Sequence, residues 1–83
     1  MDLKLYYMDY CPFCDKVINY INNNKLEIEL KNINIKENYD ELISKGGLDQ
    51  VPMLLIYGKP LYESEEIIKF LKGIIEKQYD KSK

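Results

Sequence analysis

The sequence predicts an α/β domain in which three helices flank one four-stranded mixed sheet, in the order βαβ-α-ββα, and three observations carry that expectation. Leu3 to Met8 is an apolar, β-favouring run in which only Lys4 is charged, as suits a central strand covered on both faces, and a stretch of helical periodicity follows it. Leu26, Ile28 and Leu30 alternate with Glu27, Glu29 and Lys31, the period-two pattern of a half-exposed strand. Met53 to Tyr57 is a second nearly continuous apolar run, followed by a turn and a closing amphipathic helix.

Taken in order, the elements are these. After a turn at Met8 to Tyr10, a helix is expected from Pro12 to Asn23, burying Cys14, Val17, Ile18 and Ile21 at i, i+3, i+4 and i+7 spacing, with Asn22-Asn23-Asn24 ending it. The alternating strand that follows is expected at a sheet edge, parallel to the first. Its phase slips at Ile33 and Ile35, so it must bulge or finish near Lys31. A short second helix starting at Asn38 or Asp40 would carry Tyr39, Leu42 and Ile43 and stop at Gly46-Gly47. Met53 to Tyr57 then turns through Gly58-Lys59 into Leu61-Tyr62 as a hairpin. Ser64 is a favourable N-cap, with Glu65 and Glu66 in the first turn and Lys69, Lys72 and Lys77 further along, as the helix dipole prefers. That helix is expected to reach Gln78 with Ile67, Ile68, Leu71, Ile74 and Ile75 on its inner stripe, and residues 79–83 to fray.

Eighty-three residues suit a single domain, 1–83, with a modest core. Fourteen acids against twelve lysines, with no arginine, leave no basic stripe and no bidentate phosphate clamp, so nucleic acid is an unexpected partner. The start, Met1-Asp2-Leu3-Lys4, lacks the apolar core of a signal peptide, and no apolar run approaches the roughly 18 residues of a membrane span. A cytoplasmic protein without membrane contact is expected. There, a lone dithiol points to catalysis more than to structure.

Both cysteines lie in Cys11-Pro12-Phe13-Cys14, at the expected strand-to-helix junction. Two thiols separated by two residues can close and reopen a small disulfide without moving the rest of the chain. Pro12 fits the first helical position, which leaves Cys11 where an N-cap residue sits. Its sulfur then faces unpaired helix N–H groups, which favour an anion by about 0.3–1 kcal/mol. Lys16 should assist this and Asp15 oppose it. Cys11 is the expected nucleophile, and Cys14, one turn into the helix, the thiol that resolves its mixed disulfide. A structural zinc site wants four Cys or His ligands, and the chain has two cysteines and no histidine, so no metal is expected. A purely structural disulfide closing so short a loop would stabilise weakly.

Tyr10-Cys11-Pro12-Phe13-Cys14 differs from the Cys-Pro-Tyr-Cys centre of the glutaredoxins only in Phe for Tyr, and from about Leu3 to Leu71 the chain resembles that family, whose fold is thioredoxin-like. The resemblance implies a cis proline at Val51-Pro52, with the backbone of Val51 pairing the cysteinyl part of glutathione. Leu61-Tyr62-Glu63-Ser64-Glu65-Glu66-Ile67 looks like the Glu-Ser motif of the thioredoxin-like domain of glutathione transferases, which implies that Glu63 and Ser64 hold the γ-glutamyl group. A carboxylate suits such a helix start on chemical grounds as well. Tyr10 and Phe13 would wall a substrate groove. Many glutaredoxins carry a Lys where this chain has Met8, so the glycine carboxylate falls to Lys36, Lys45 or Gln50. At eighty-three residues, the second, helical domain of a transferase is not expected here.

The activity implied is that of a monomeric dithiol glutaredoxin with glutathione as co-substrate and no tightly bound cofactor, acting on disulfide-containing or glutathionylated proteins. Two alternatives stand beside it. One is a thioredoxin-like electron carrier reduced by a flavoprotein reductase. The other is a glutathione-ligated [2Fe–2S] carrier dimer, disfavoured because Pro12 stiffens the loop that would open around a cluster.

Overall fold

The computed structural model describes residues 2–81. The elements are β1 (Leu3–Tyr7), α1 (Pro12–Asn23), β2 (Glu29–Asn32), α2 (Lys36–Glu41) with a π-helical turn at Leu42–Gly46, β3 (Met53–Ile56), β4 (Lys59–Tyr62) and α3 (Ser64–Lys81). The four strands form one sheet in the order β2-β1-β3-β4, with β2 parallel to β1 and the other pairs antiparallel. This is the expected mixed sheet with its three helices. Pro60, which has no N–H to give, lies on the edge strand β4, where a ladder tolerates it.

The alternation of β1 divides the core into two layers. Leu3 and Leu5 share one face with Leu54 and are covered by Val17 and Ile21 of α1 and Ile67 and Leu71 of α3. Tyr6 points the other way and packs with Met53, Leu55 and Leu42. Burying one such aliphatic side chain stabilises by roughly 1.5–3 kcal/mol.

The second layer also contains a polar bond set that fastens α2 to the sheet. The parallel register sets Tyr6 beside Lys31. Tyr6 Oη donates to Glu41 Oε1 at 2.7 Å, and Lys31 Nζ donates to the same oxygen at 2.8 Å. The bonds from Lys31 and Tyr6 lower the Glu41 carboxyl from its ordinary 4.5 to about 2. Burial, and then Glu41 itself, pushes the Tyr6 phenol up, and Glu41 raises Lys31.

Several boundaries differ from the sequence expectation, each for a physical reason. The strand expected from Leu26 begins only at Glu29, because α1 ends in a Schellman motif: Lys25 N–H bonds to Asn22 C=O at 3.2 Å and Leu26 N–H to Ile21 C=O at 3.0 Å. Lys25 takes the left-handed residue of this motif at φ 52°. Leu26 and Ile28 still pack on the first core layer, whereas Leu30 is 40% exposed and Lys31 turns inward to Glu41. Ile18 is half-buried, and Ile43 is exposed. The second helix starts two residues before Asn38, with Asn38 N–H bonding to Ile35 C=O. Tyr57 belongs to the hairpin turn: with Gly58 it gives two successive positive φ values, 48° and 86°, as a type I′ turn requires.

Ser64 is the first residue of α3 rather than its N-cap. The first bond of that helix, Ile67 N–H to the Glu63 carbonyl at 3.0 Å, puts Glu63 in the cap position, at φ 74°. The helix expected to finish near Gln78 continues to Lys81, since neither Gly nor Pro follows Gly73 to interrupt it. Residues 82–83 of the tail expected to fray lie outside the described residues. No helix among the described residues is long and apolar enough to cross a membrane.

Candidate functional site

Strand directions bring four segments to one end of the sheet. Tyr7, the last residue of β1, pairs with Asn32, the last of β2, so both parallel strands deliver their carboxyl ends there. Tyr6 pairs with Met53 and Met53 with Tyr62, which sets the start of β3 and the end of β4 alongside. The loop after β1 carries Cys11, the residue before β3 is Pro52, and the residues after β4 are Glu63 and Ser64. Ligands of such sheets gather at the carboxyl ends of parallel strands.

The loop from β1 to α1 is held from its outer side. Asp9 accepts from Asn32 Nδ2 at 3.2 Å through one carboxylate oxygen and from Asn34 Nδ2 at 3.1 Å through the other. Asn32 Oδ1 in turn accepts from Asn34 N–H at 2.9 Å. The next residue, Tyr10, has φ 58°, a left-handed value that a bulky side chain adopts only when its surroundings impose it. The chain then enters Cys11 in extended geometry, φ −118° and ψ 103°, and α1 begins.

Cys11 caps that helix. Its Sγ accepts from Cys14 N–H at 3.2 Å, and its carbonyl accepts from Asp15 N–H at 2.9 Å, with Pro12 as the first helical residue. The sulfur therefore takes the place of the hydroxyl or carboxylate oxygen of an ordinary N-cap, facing backbone donors that stabilise negative charge. Both cysteines are free thiols. Cys11 is 5% exposed and Cys14 fully buried. Burial, and then the hydrogen bond with Cys11, pushes the Cys14 thiol up to about 12. The two thiols thus differ in kind. Lys16, expected to assist Cys11, is instead 3.4 Å from Glu65 Oε1 at the start of α3.

A cleft of about 310 Å³ opens at this end of the sheet. Phe13 forms one wall, Gln50, Val51 and Pro52 another, and Glu63, Ser64 and Glu65 the third. The Val51-Pro52 bond is cis and Pro52 is buried. Gln50 Nε2 donates to Glu63 Oε1 at 3.4 Å. Ser64 is 7% exposed and lines the cleft.

Of the sequence-predicted contacts, Phe13, Gln50, Val51, Pro52, Glu63 and Ser64 come together in this cleft. Tyr10 does not line it and is 99% exposed. Lys36 lies on α2 with its Nζ 2.8 Å from Asp40 Oδ2, and Lys45 is exposed on the π-helical turn, so neither lines the cleft. Sequence reasoning treated Glu65 only as a dipole-friendly acid and passed over Asp9 altogether. Asp9 has no signal in the sequence, because its partners, Asn32 at the end of β2 and Asn34 just after it, become neighbours only through the parallel register.

A cysteine pair capping a helix at the carboxyl end of two parallel strands, beside a cis proline that opens an antiparallel strand, defines a thioredoxin-fold protein. The model of the glutathione S-transferase N-terminal domain family matches residues 5–80, and the chain belongs to that family. No curated protein matches it in sequence. Among solved structures it is similar to glutathione transferase Omega 3C from Trametes versicolor, with a TM-score of 0.80, 21% identity, and 92% of this chain matched to 34% of that one. Glutaredoxin 2 from Salmonella typhimurium, solved in complex with glutathione, gives a TM-score of 0.73, 26% identity, and 87% of this chain on 33% of that one. The thioredoxin-like protein BC3987 gives 0.76 at 18% identity, and here 87% of this chain matches 97% of the other. The chain therefore spans about a third of the transferase and glutaredoxin 2 chains and nearly all of the small thioredoxin-like one.

Proposed function

We propose that this protein is a glutathione-dependent thiol–disulfide oxidoreductase of the dithiol glutaredoxin type, with Cys11 as nucleophile and Cys14 as resolving thiol. The observation that carries the reading is the contact from Cys14 N–H to Cys11 Sγ at 3.2 Å. That contact turns backbone donors of the helix start toward the sulfur that is to attack a disulfide. In the reaction, Cys11 attacks one sulfur of a substrate disulfide and expels the other as a thiolate. The resulting mixed disulfide is opened by glutathione or by Cys14, and in the second case the two cysteines end as a disulfide that glutathione reduces.

Burial of Cys14 supports its later role. A thiol raised to about 12 stays protonated at neutral pH and does not compete as the first nucleophile. The γ-glutamyl carboxylate of glutathione suits Ser64 and the free N–H groups of the first turn of α3, and its ammonium group suits Glu63. Val51, next to the cis proline, offers backbone to the cysteinyl part.

The test is turnover of a glutathionylated peptide with glutathione, coupled to glutathione reductase. Steady release of the peptide thiol, saturable in glutathione and abolished by Cys11→Ser, is expected. Turnover that requires a flavoprotein reductase and ignores glutathione would replace this reading by the thioredoxin-like one.

A further inference from the structure

The loop that delivers Cys11 is tied down through one side chain. Between β1 and α1, no backbone–backbone hydrogen bond among the described residues involves Met8, Asp9 or Tyr10. The Tyr10 side chain is 99% exposed and has no packing to hold it, yet its backbone keeps the left-handed φ of 58° from which the chain enters Cys11. A conformation so costly for a tyrosine persists only where neighbouring structure imposes it. The imposing group is the residue before it. The Asp9 carboxylate accepts from Asn32 Nδ2 at 3.2 Å and, through its second oxygen, from Asn34 Nδ2 at 3.1 Å. Asn32 is itself fixed: it pairs with Tyr7 in the sheet, its Oδ1 accepts from Asn34 N–H at 2.9 Å, and its carbonyl accepts from Asn38 Nδ2 at 3.0 Å. Both amides thus present their donors from a firm base, which a carboxylate with two acceptor oxygens matches.

We infer that Asp9 is a positioning residue: by holding the loop to the end of β2 it sets the turn at Tyr10, and with it the place of Cys11 Sγ against Cys14 N–H. The inference rests on the reading of Cys11 as nucleophile. Asp9 acts through the backbone of Tyr10, so its contribution is geometric.

The experiment compares the reduced protein with Asp9→Asn, Asn34→Asp and the two combined. Asp9→Asn turns one amide group toward another, and Asn34→Asp sets two carboxylates face to face. The double variant restores a donor and an acceptor with their direction reversed and the net charge of wild type. Two rates are read: amide exchange at Cys14 by NMR, and oxidation of the dithiol by hydroxyethyl disulfide without glutathione. In that oxidation the two cysteines join as a disulfide and the reagent leaves as two thiols. Each single variant is expected to exchange the Cys14 amide about fivefold faster and to be oxidised about fivefold more slowly or worse. The double variant should return to within about twofold of wild type on both. A merely structural Asp9 would lower stability in urea and leave both rates of the folded protein unchanged. A charge effect would instead make Asp9→Asn react faster, since removing an anion near a thiol favours the thiolate. Either result, or a double variant as impaired as the singles, overturns the inference. Failure of glutathione turnover leaves it intact and counts only against the glutathione reading. A wild-type dithiol that the disulfide does not oxidise overturns it together with the reading of Cys11.

Discussion

The Tyr62 hydroxyl holds Leu48 by both of its backbone groups, accepting from the N–H at 3.2 Å and donating to the C=O at 3.3 Å. Tyr62 ends β4, and Leu48 begins the segment that leads to Val51 and Pro52, so this one phenol fixes a wall of the cleft. Gly46 lies directly under it, where an added Cβ would run into Tyr62 Oη and come within 3.1 Å of Met53 Cε. Gly46→Ala is therefore expected to destabilise by about 1–3 kcal/mol through overpacking, although its φ is unremarkable for any residue. Tyr62→Phe, losing only the hydrogen bonds, should cost about 1 kcal/mol and speed amide exchange at Leu48. Equal stability of Gly46→Ala and wild type in urea denaturation would contradict the packing account.

The cysteines should separate cleanly by labelling. With iodoacetamide at pH 8, the folded, reduced protein is expected to take up one equivalent, at Cys11, and a second at Cys14 only in denaturant, as peptide mapping can show. Fully buried Cys14 is raised to about 12 in the fold, against about 8.5 for a free thiol. Its contribution to stability is complete below about 8.5 and is lost as pH rises towards 12, so the reduced protein should weaken on that side. Cys11→Ser should abolish activity, whereas Cys14→Ser should keep glutathione release and lose dithiol reduction.

Glu41 sets the acid limit. Its carboxyl is lowered to about 2 by Lys31 and Tyr6, while in the unfolded chain it titrates near its ordinary 4.5. The stabilisation is complete above pH 4.5 and is lost as pH falls through about 2. Melting temperatures of wild type and Glu41→Gln should differ by a constant amount from pH 5 to 8 and converge below about pH 4. Parallel curves across the whole range would exclude this role.

Lys25 offers a gain. It occupies the left-handed position of the Schellman motif, where a side chain costs roughly 1 kcal/mol or more and glycine is free. Lys25→Gly should raise stability by up to about 1 kcal/mol, less what the more flexible unfolded chain takes back. Thermal denaturation measures it, and a lowered melting point would mean that the lysine stem packs usefully.

Ser64→Ala tests binding with little interference from helix capping, because Glu63 holds the cap position. Stability should change by less than about 0.5 kcal/mol. Loss of a hydrogen bond to a charged ligand group is worth about 1.5–3 kcal/mol, so KM for glutathione should rise about tenfold or more. A drop of a whole kcal/mol in stability with unchanged KM would return Ser64 to a purely structural role.

Helical periodicity made α1 legible to the residue, because Pro12 marks its start and Cys14, Val17 and Ile21 fall on one stripe. The hairpin and the cysteine-bearing loop were equally plain, since Gly, Pro and uninterrupted apolar runs act locally. What escaped depends on distant partners. Lys31 reads as an outward residue of an alternating strand, yet it points inward because Glu41, ten positions away, waits across the sheet. The strand start at Glu29 followed from an αL residue that is a lysine, where only glycine or asparagine would have signalled it. Ser64 looked like a cap because serine usually is one, and a positive φ at Glu63 moved the helix start by one residue. In the cleft, the Val51, Pro52, Glu63 and Ser64 segments could be named from short motifs, but their convergence with Phe13 and Gln50 is a product of strand register.

The type I′ turn at Tyr57–Gly58 joins the ends of β3 and β4 that point away from Cys11, beside the start of β1. Both of its residues are exposed. It is accordingly the natural handle of the molecule: a fluorophore, an affinity tag or an inserted peptide placed there sits at the pole opposite the thiols. Such a graft would let the protein be anchored to a surface with its reactive end outward, and redox exchange could then be watched one molecule at a time.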